Sequence, residues 1–194
     1  MADDLAHRGR RLRVTDTRTP TARHRTFTVT PARPEDASAI AGLWHRHLRE
    51  TSDVVDPTFT PAFSAQKTGA RLKRALVAGT LLGWIARAEG QSKTELAGYL
   101  TAKVQTADAL FGDVFEYAPV LYIVDVDVDA AFRRRGVSRL LLDEATRYAR
   151  EHRIDTLELA SVVRDTRSVT AWKRQGFEAR VVVMRRAVTV KQQR

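Results

Sequence analysis

The sequence has 194 residues, 43% of them hydrophobic, and contains no cysteine. This length suits one globular domain, and the lack of cysteine excludes disulfides and thiolate metal sites. The formal net charge is +10, but +4 of it lies in residues 1–26 and another +4 in residues 185–194. The body of the chain is nearly neutral, which favours solvated basic tails over a nucleic-acid surface as the meaning of the charge.

The pattern of apolar residues indicates neither a targeting signal nor a membrane span. No segment approaches the roughly 18 apolar residues of a membrane span, and the first residues lack the apolar run of a secretory signal. We therefore expect a soluble, cytoplasmic protein. Residues 1–26 are rich in Arg and Thr without an apolar period, which predicts a disordered basic extension. The domain is expected over residues 27–188, with a basic tail at 189–194.

The first half of this domain begins with a strand near Phe27, a proline-containing turn, and a helix that extends through "DASAIAGLWHRHLRE". A second helix is predicted in "SAQKTGARLKRALVAGT". The connection "TSDVVDPTFTPAF" is rich in turn-forming residues yet holds Phe59 and Phe63, our candidates for substrate binding. The segments "LLGWIARAEG" and "ELAGYLTAKVQ" then predict an antiparallel hairpin.

The second half contains a strand, a basic turn and a long helix. "VLYIVDVDV" predicts a strand with one face buried, and "GVSRLLLDEATRYAREHR" an amphipathic helix. A strand in "DTLELASVV", a short helix closed by Gly176, and a strand in "FEARVVVMRRAV" follow. A hairpin combined with a strand-helix-strand crossover predicts an α/β (α+β) domain with a single mixed sheet flanked by helices.

The basic turn before the long helix is a candidate anion site. Gly136 stands between a strand and a helix, where the chain can bend sharply and present several unpaired backbone N–H groups. Arg133, Arg134, Arg135 and Arg139 surround this point and would attract a phosphate. An exposed, hydrophilic start of a helix explains the local pattern equally well, because one glycine is a weak signal.

The run "VDVDAAFRRRGVSRLLLDEA" resembles the acyl-CoA-binding motif of the GNAT superfamily of N-acyltransferases, R/Q-x-x-G-x-G/A between a strand and a helix. Arg133 and Gly136 occupy its first two fixed positions. The segment "DTRSVTAWKRQGFEARVVVMRR" is similar to the second signature of that family, which ends in Gly-Phe, here Gly176 and Phe177. The order of strands and helices also agrees, so the resemblance covers the chain except its tails.

The resemblance implies acetyl-CoA as co-substrate and a set of residues that would bind it. Val126 and Val128 would pair with the pantetheine arm through their backbone. The pyrophosphate would lie against the turn and the start of the helix, formed by Arg134, Arg135, Gly136, Val137, Ser138 and Arg139.

Three positions depart from the family pattern. Ser138 stands where Gly or Ala is usual, and its hydroxyl could crowd the phosphate or donate to it. Asp165 replaces an Asn. Trp172 replaces the Tyr that often protonates the leaving thiolate, and an indole cannot act as that acid. The general acid is therefore unassigned.

Acidic residues precede the turn, and no Lys or Arg occurs from Val104 to Phe132. Period two places Asp125 and Asp127 on one strand face, with valines on the other. Such carboxylates could attract an ammonium group and take its proton, so Asp125 is our first candidate for general base and Glu116 the second. The alternative is that the strand aspartates face solvent or pair with a helix, which the pattern favours slightly for Asp127.

The histidines are expected to be structural. His45 and His47 belong to the first helix and His152 ends the long one, and no other ligand stands at metal-binding spacing from them. We therefore expect no metal.

The sequence predicts an enzyme that transfers an acetyl group directly from acetyl-CoA to a primary amine, because no cysteine could carry the acyl group. The acceptor could be a small molecule or a protein, and a homodimer is compatible with the sequence. Two alternatives remain open: a CoA-binding sensor or scaffold without catalysis, suggested by Trp172, and a nucleic-acid-associated protein that uses its basic tails.

Overall fold

The computed structural model of the protein describes residues 10–12, 26–50, 64–90, 92, 95–106, 118–181 and 184. The described residues fall into two compact units, one within Met1–Ala160 and the other within Ser161–Arg194. Phe59, Phe63 and Glu116 lie outside the described residues. No helix in the part of the chain that the structure describes is long and apolar enough to cross a membrane.

The first unit is built on a mixed sheet with the order β1-β2-β3-β4-β5-β6. All neighbouring strands are antiparallel except β5 and β6, which are parallel. The parallel pair requires a crossover, which the helix α3 (Val137–Glu151) supplies. The mixed sheet with flanking helices confirms the fold class predicted from the sequence. The strands are β1 (Arg10–Leu12), β2 (Phe27–Pro31), β3 (Leu82–Ala88), β4 (Gly98–Gln105), β5 (Val120–Val128) and β6 (Thr156–Leu159).

Two segments differ from the sequence prediction. Arg10–Leu12 was expected to be disordered but lies against β2 as a strand, with Arg10 opposite Val29. An edge strand such as β2 can pair with a short segment through backbone groups, which an apolar pattern does not reveal. Residues 177–181, expected to begin a strand, have no strand structure. Alternation of apolar residues shows only that a segment could pair, since pairing also needs a partner edge.

Local sequence signals begin the two helices of the first half, α1 (Ala37–Glu50) and α2 (Ala65–Val77). A 3-10 turn at Pro34–Asp36 leads into α1, and the Asp36 carboxylate accepts from the Arg33 backbone N–H at 2.8 Å. The Ser64 hydroxyl caps α2 by accepting from the Lys67 N–H at 3.3 Å. A side-chain cap therefore marks the start of α2, whereas α1 continues directly from the 3-10 turn.

The helices of the first unit cover both faces of the sheet. Ile40 and Leu43 of α1 form a buried cluster with Ile85 of β3 and Tyr99 of β4, and α2 contributes Leu72. The third helix, α3 (Val137–Glu151), packs against β3 and β4. Its Tyr148 ring meets the Trp84 ring edge-on at 5.7 Å, on the face opposite to Tyr99, since adjacent strand residues alternate sides.

A β-bulge interrupts the pairing of β4 with β5. Thr101 is opposite Asp125 and Ala102 is opposite Ile123, so Val124 has no partner in β4. Directly opposed residues of two paired strands lie on the same face of the sheet, so Asp125 shares a face with Thr101. Ile123 shares the opposite face with Ala102, since Thr101 and Ala102 are adjacent in β4. The bulge thus separates the aspartates of β5 from the apolar residues earlier in the same strand.

The second unit contains α4 (Thr166–Arg174). Asp165 is its N-cap and accepts from the Ser168 backbone N–H at 3.1 Å and from its hydroxyl at 2.6 Å. Gly176 has φ 89°, the left-handed conformation that ends helices, as the sequence predicted. The Trp172 and Phe177 rings meet edge-on at 5.3 Å. Trp172 therefore packs within this unit.

Candidate active site

The turn between β5 and α3 is the candidate anion site predicted from the sequence. A 3-10 turn at Ala130–Phe132 follows β5, and the Asp129 carboxylate caps it by accepting from Ala131 N–H at 3.0 Å. Arg134 has φ 63° and Gly136 φ 79°, both in the left-handed region. A residue other than glycine seldom adopts this conformation, so the turn is locally strained at Arg134.

The first turn of α3 leaves backbone donors without helical partners. Gly136 is the N-cap and has no side chain to accept from them. The first helical bond runs from Leu140 N–H to Gly136 C=O at 3.0 Å, so the N–H groups of Val137, Ser138 and Arg139 precede it. Together with the positive end of the helix dipole, these donors favour a bound anion.

The arginines of the turn divide into two groups. Arg133 donates to Glu50 of α1 at 2.6 Å and to the Val128 carbonyl at 3.0 Å, so its side chain braces the turn. Arg134, Arg135 and Arg139 are exposed around the Gly136 turn. The sequence predicted that all four arginines attract phosphate. Because Arg133 already has two partners, Arg134, Arg135 and Arg139 are the candidates that remain for this role.

A strand edge leads directly to this turn. The parallel pairing of β5 with β6 ends where Ile123 lies opposite Leu159, whereas β5 continues to Val128. No strand among the described residues pairs with β5 beyond Ile123 on that side. The edge beyond Ile123 includes Val126, whose backbone can therefore pair with an extended ligand, whereas the Val128 N–H and carbonyl already bond the Asp127 and Arg133 side chains.

Asp125 lies on the α1 face of the sheet and accepts a hydrogen bond from the buried Tyr99 hydroxyl. Burial raises the pKa of Asp125, the Tyr99 hydrogen bond opposes that rise, and the nearby Asp127 charge adds to it. Burial also raises the pKa of Tyr99 well above its ordinary value, and the charge of Asp125 raises it further. Tyr99 therefore remains a donor, and Asp125 is a stronger base than an exposed carboxylate.

Asp127 is buried and contacts a helix residue, as the alternative prediction for it stated. Its Oδ1 atom lies 3.2 Å from His47 Nδ1 of α1 and accepts from the Val128 N–H at 2.7 Å. The Asp127 carboxylate close to its ring raises the pKa of His47, while burial opposes this rise. When His47 is protonated, it forms an ion pair with Asp127 beside Asp125.

Sequence reasoning missed Tyr99 and assigned His47 a structural role. Both are brought to Asp125 and Asp127 by tertiary contacts, one through the neighbouring strand and the other through α1. No local signal marks either residue, because the pairing of β4 with β5 and the packing of α1 join segments distant in sequence.

No group of three or more His, Asp or Glu side chains in the described segments is arranged to hold a metal ion. The replacement of Asn by Asp165 has a local explanation. Burial raises the pKa of Asp165, but hydrogen bonds from Ser168 outweigh it and hold the pKa below its ordinary value. The charged carboxylate is therefore a stable helix cap.

Comparisons with known proteins agree with this architecture. A search of curated protein sequences finds no significant match. The structure is similar to a predicted acetyltransferase from Clostridium acetobutylicum solved with acetyl-CoA, with a TM-score of 0.61 and 15% identity over 83% of this chain and 96% of the other. It is also similar to the aminoglycoside N-acetyltransferase AAC(6')-Iy in complex with CoA, with a TM-score of 0.64 and 19% identity over 88% and 99% of the two chains.

A third similar structure is an aminoglycoside acetyltransferase from an uncultured soil metagenomic sample, in complex with sisomicin. Its TM-score is 0.61, with 15% identity over 85% of this chain and 97% of the other. At these identities the likeness concerns the fold. The family model for the acetyltransferase (GNAT) family matches residues 48–177, which include β5, the Gly136 turn and α3. The chain therefore belongs to the GNAT acetyltransferase family.

Proposed function

We propose that the protein transfers an acetyl group from acetyl-CoA to a primary amine. One observation carries this proposal: a strand edge with no partner strand among the described residues leads to the Gly136 turn, and a carboxylate with a raised pKa lies on the same strand. An extended arm ending in a pyrophosphate suits the edge and the turn, and a carboxylate suits an amine that must lose a proton.

The residues of the first unit fit the two parts of the cofactor. The backbone of Val126 would pair with the pantetheine amides, since this part of β5 has no partner strand on the β6 side among the described residues. The Val128 N–H and carbonyl already bond the Asp127 and Arg133 side chains, so Val128 would pair with the arm only if those side chains released it. The backbone N–H groups of residues 134–139 would hold the pyrophosphate, together with the guanidinium groups of Arg134, Arg135 and Arg139. Ser138 is partly buried at the helix start, where its hydroxyl could donate to the phosphate.

Asp125 is our candidate for the general base. Its raised pKa brings its affinity for a proton closer to that of an amine. The free amine nitrogen would attack the thioester carbonyl, form the new C–N bond and displace the CoA sulfur as a thiolate, which then takes up a proton. The chain has no cysteine to form a thioester with the acetyl group, so we propose direct transfer.

The second candidate is a CoA-binding sensor that does not catalyse transfer. Trp172 favours it, because its indole cannot protonate the thiolate and its ring packs on Phe177 instead. Both candidates bind acetyl-CoA, so binding cannot distinguish them.

Release of free CoA thiol separates the two candidates. Acetyl-CoA would be incubated with the protein and a panel of amines, which includes aminoglycosides, polyamines, amino acids and peptide amino termini. Amine-dependent thiol release, with an acetylated product detected by mass spectrometry, would support the enzyme. Tight acetyl-CoA binding without release from any amine would support the sensor, and absence of binding would refute both.

A further inference from the structure

We propose that His47 is a positioning residue of the transfer reaction: as a cation it compensates Asp127, so that Asp125 is the carboxylate left to accept the proton of the amine. This inference rests on the proposed function. It concerns a helix residue to which the sequence assigned only a structural role, and it follows from the contacts that α1 makes with the end of β5.

The surroundings of Asp127 require a cation. Its side chain is 5% exposed, and Oδ1 receives the Val128 N–H at 2.7 Å and lies 3.2 Å from His47 Nδ1. Its Oδ2 atom has no hydrogen-bond partner among the described residues. A buried carboxylate with one unsatisfied oxygen is costly unless a positive charge lies close to it. The imidazolium of His47 supplies that charge.

The charge state of this pair acts on Asp125. The two aspartates share a strand face two residues apart, a separation of roughly 7 Å. The Asp127 charge raises the pKa of Asp125, and the His47 charge lowers it. Protonated His47 therefore limits the effect of Asp127, so that Asp125 remains ionised and able to accept a proton over a wider pH range.

The other charged groups near His47 have partners of their own. Arg133 opposes protonation of His47 but is paired with Glu50 at 2.6 Å. Arg46, the neighbour of His47 on α1, lies 3.2 Å from Asp129. Among the described residues, three ion pairs therefore join the last turns of α1 to β5 and to the proposed phosphate turn (residues 134–139) with its flanking residues. The His47–Asp127 pair is the one beside the proposed base.

The pH dependence of transfer tests this proposal. The variants are His47→Gln, Asp127→Asn and the double variant, with His45→Gln as a matched control. His45 lies two residues from His47 but contacts Thr68 of α2 at 3.2 Å. Asparagine at position 127 retains an oxygen for the Val128 N–H. The measured quantity is the pH at which kcat rises, called the rising limb of the pH profile. Because the same amine acceptor is used throughout, a shift of this limb reports a changed pKa in the protein and not in the amine.

We expect His47→Gln to move the rising limb to higher pH, because the Asp127 charge is then uncompensated. The double variant should return the limb toward its wild-type position, since the uncompensated charge is gone. His45→Gln should leave it unchanged. An unmoved limb in His47→Gln, or an equal shift in the double variant, would overturn the proposal, because a purely structural role would lower the rate without this pattern.

Titration of the His47 imidazole by NMR, in the protein without substrates, provides a readout that does not depend on activity. The signal is assigned by its loss in His47→Gln. We expect His47 to titrate above the ordinary range of histidine in the wild type and lower in Asp127→Asn. Equal titration in both proteins would overturn the inference even if transfer occurs. If no amine is acetylated but His47 shifts as expected, the proposed function fails and the coupling of the pair stands.

Discussion

Replacement of Gly136 by valine is the most direct test of the phosphate turn. Gly136 has φ 79° and provides the N-cap of α3 without a side chain. A β-branched residue there must adopt the left-handed conformation, and its side chain would project into the space above the exposed N–H groups. Gly79 offers a matched control, because it has φ 66° and an added Cβ would meet no atom within 4 Å.

Backbone strain should lower the melting temperature of both variants, whereas acetyl-CoA affinity should fall only in Gly136→Val. A left-handed residue other than glycine costs about 1–3 kcal/mol. At about 2–4 °C per kcal/mol for a protein of this size, both Gly136→Val and Gly79→Val should melt roughly 2–12 °C below wild type. Each hydrogen bond to a charged phosphate contributes about 1.5–3 kcal/mol, so loss of two of them should weaken acetyl-CoA binding by roughly 10²–10⁴-fold in Gly136→Val alone.

Isothermal titration calorimetry with acetyl-CoA measures the affinity, and differential scanning calorimetry of the same samples measures the melting temperature. Gly79→Val should bind acetyl-CoA as the wild type does despite its lower melting temperature. A folded Gly136→Val protein with wild-type affinity would refute the assignment of the cofactor to this turn.

Asp125→Asn should lower acetyl transfer by about 10²–10⁴-fold with little change in acetyl-CoA affinity, and full activity at every pH would show that this aspartate is not the base. Because burial raises the pKa of Asp125 in the folded state, ionisation costs stability as pH rises through that pKa. In denaturant titrations, the free energy of unfolding of Asp125→Asn should therefore increase relative to that of the wild type as pH rises above about 4. A difference between the two proteins that stays constant with pH would contradict the raised pKa. Tyr99→Phe removes the hydrogen bond that lowers the pKa of Asp125, so the rising limb of kcat should move to higher pH; a shift to lower pH would contradict the role of this hydroxyl. Gly98→Ala should destabilise the fold by about 1–3 kcal/mol in urea titration, since its Cβ would lie 2.8 Å from the Asp127 carbonyl. Gly42→Ala, whose Cβ would meet only Arg46 at 3.8 Å within a helix, should be neutral or stabilising, and equal losses in both would refute the steric argument.

In β5, the alternation of residues along the strand does not predict correctly which residues share a face. Residues Leu121, Ile123, Asp125 and Asp127 have the same parity, so an unbroken strand would put two buried aliphatic residues and two carboxylates on one face. The bulge at Val124 resolves this conflict. The conflict was visible in the sequence, but the position of the bulge was not, because it depends on how β4 and β5 align.

The motif residues were predictable for a different reason. Gly136 follows a strand and begins a helix, and the local backbone chemistry of that position is the same in any fold that contains it. The helices α1 and α2 were predictable from caps and apolar spacing, which also act within a few residues.

The sequence by itself determined most of the elements, the glycine turn before α3 and the shared face of the two aspartates, because each depends on interactions between residues close in the chain. Only the tertiary structure decided what surrounds those aspartates. Tyr99 reaches Asp125 through the register of β4, and His47 reaches Asp127 because α1 packs on that face of the sheet. The pKa of each group follows from burial and from neighbours distant in sequence, which only the folded chain brings within hydrogen-bonding distance.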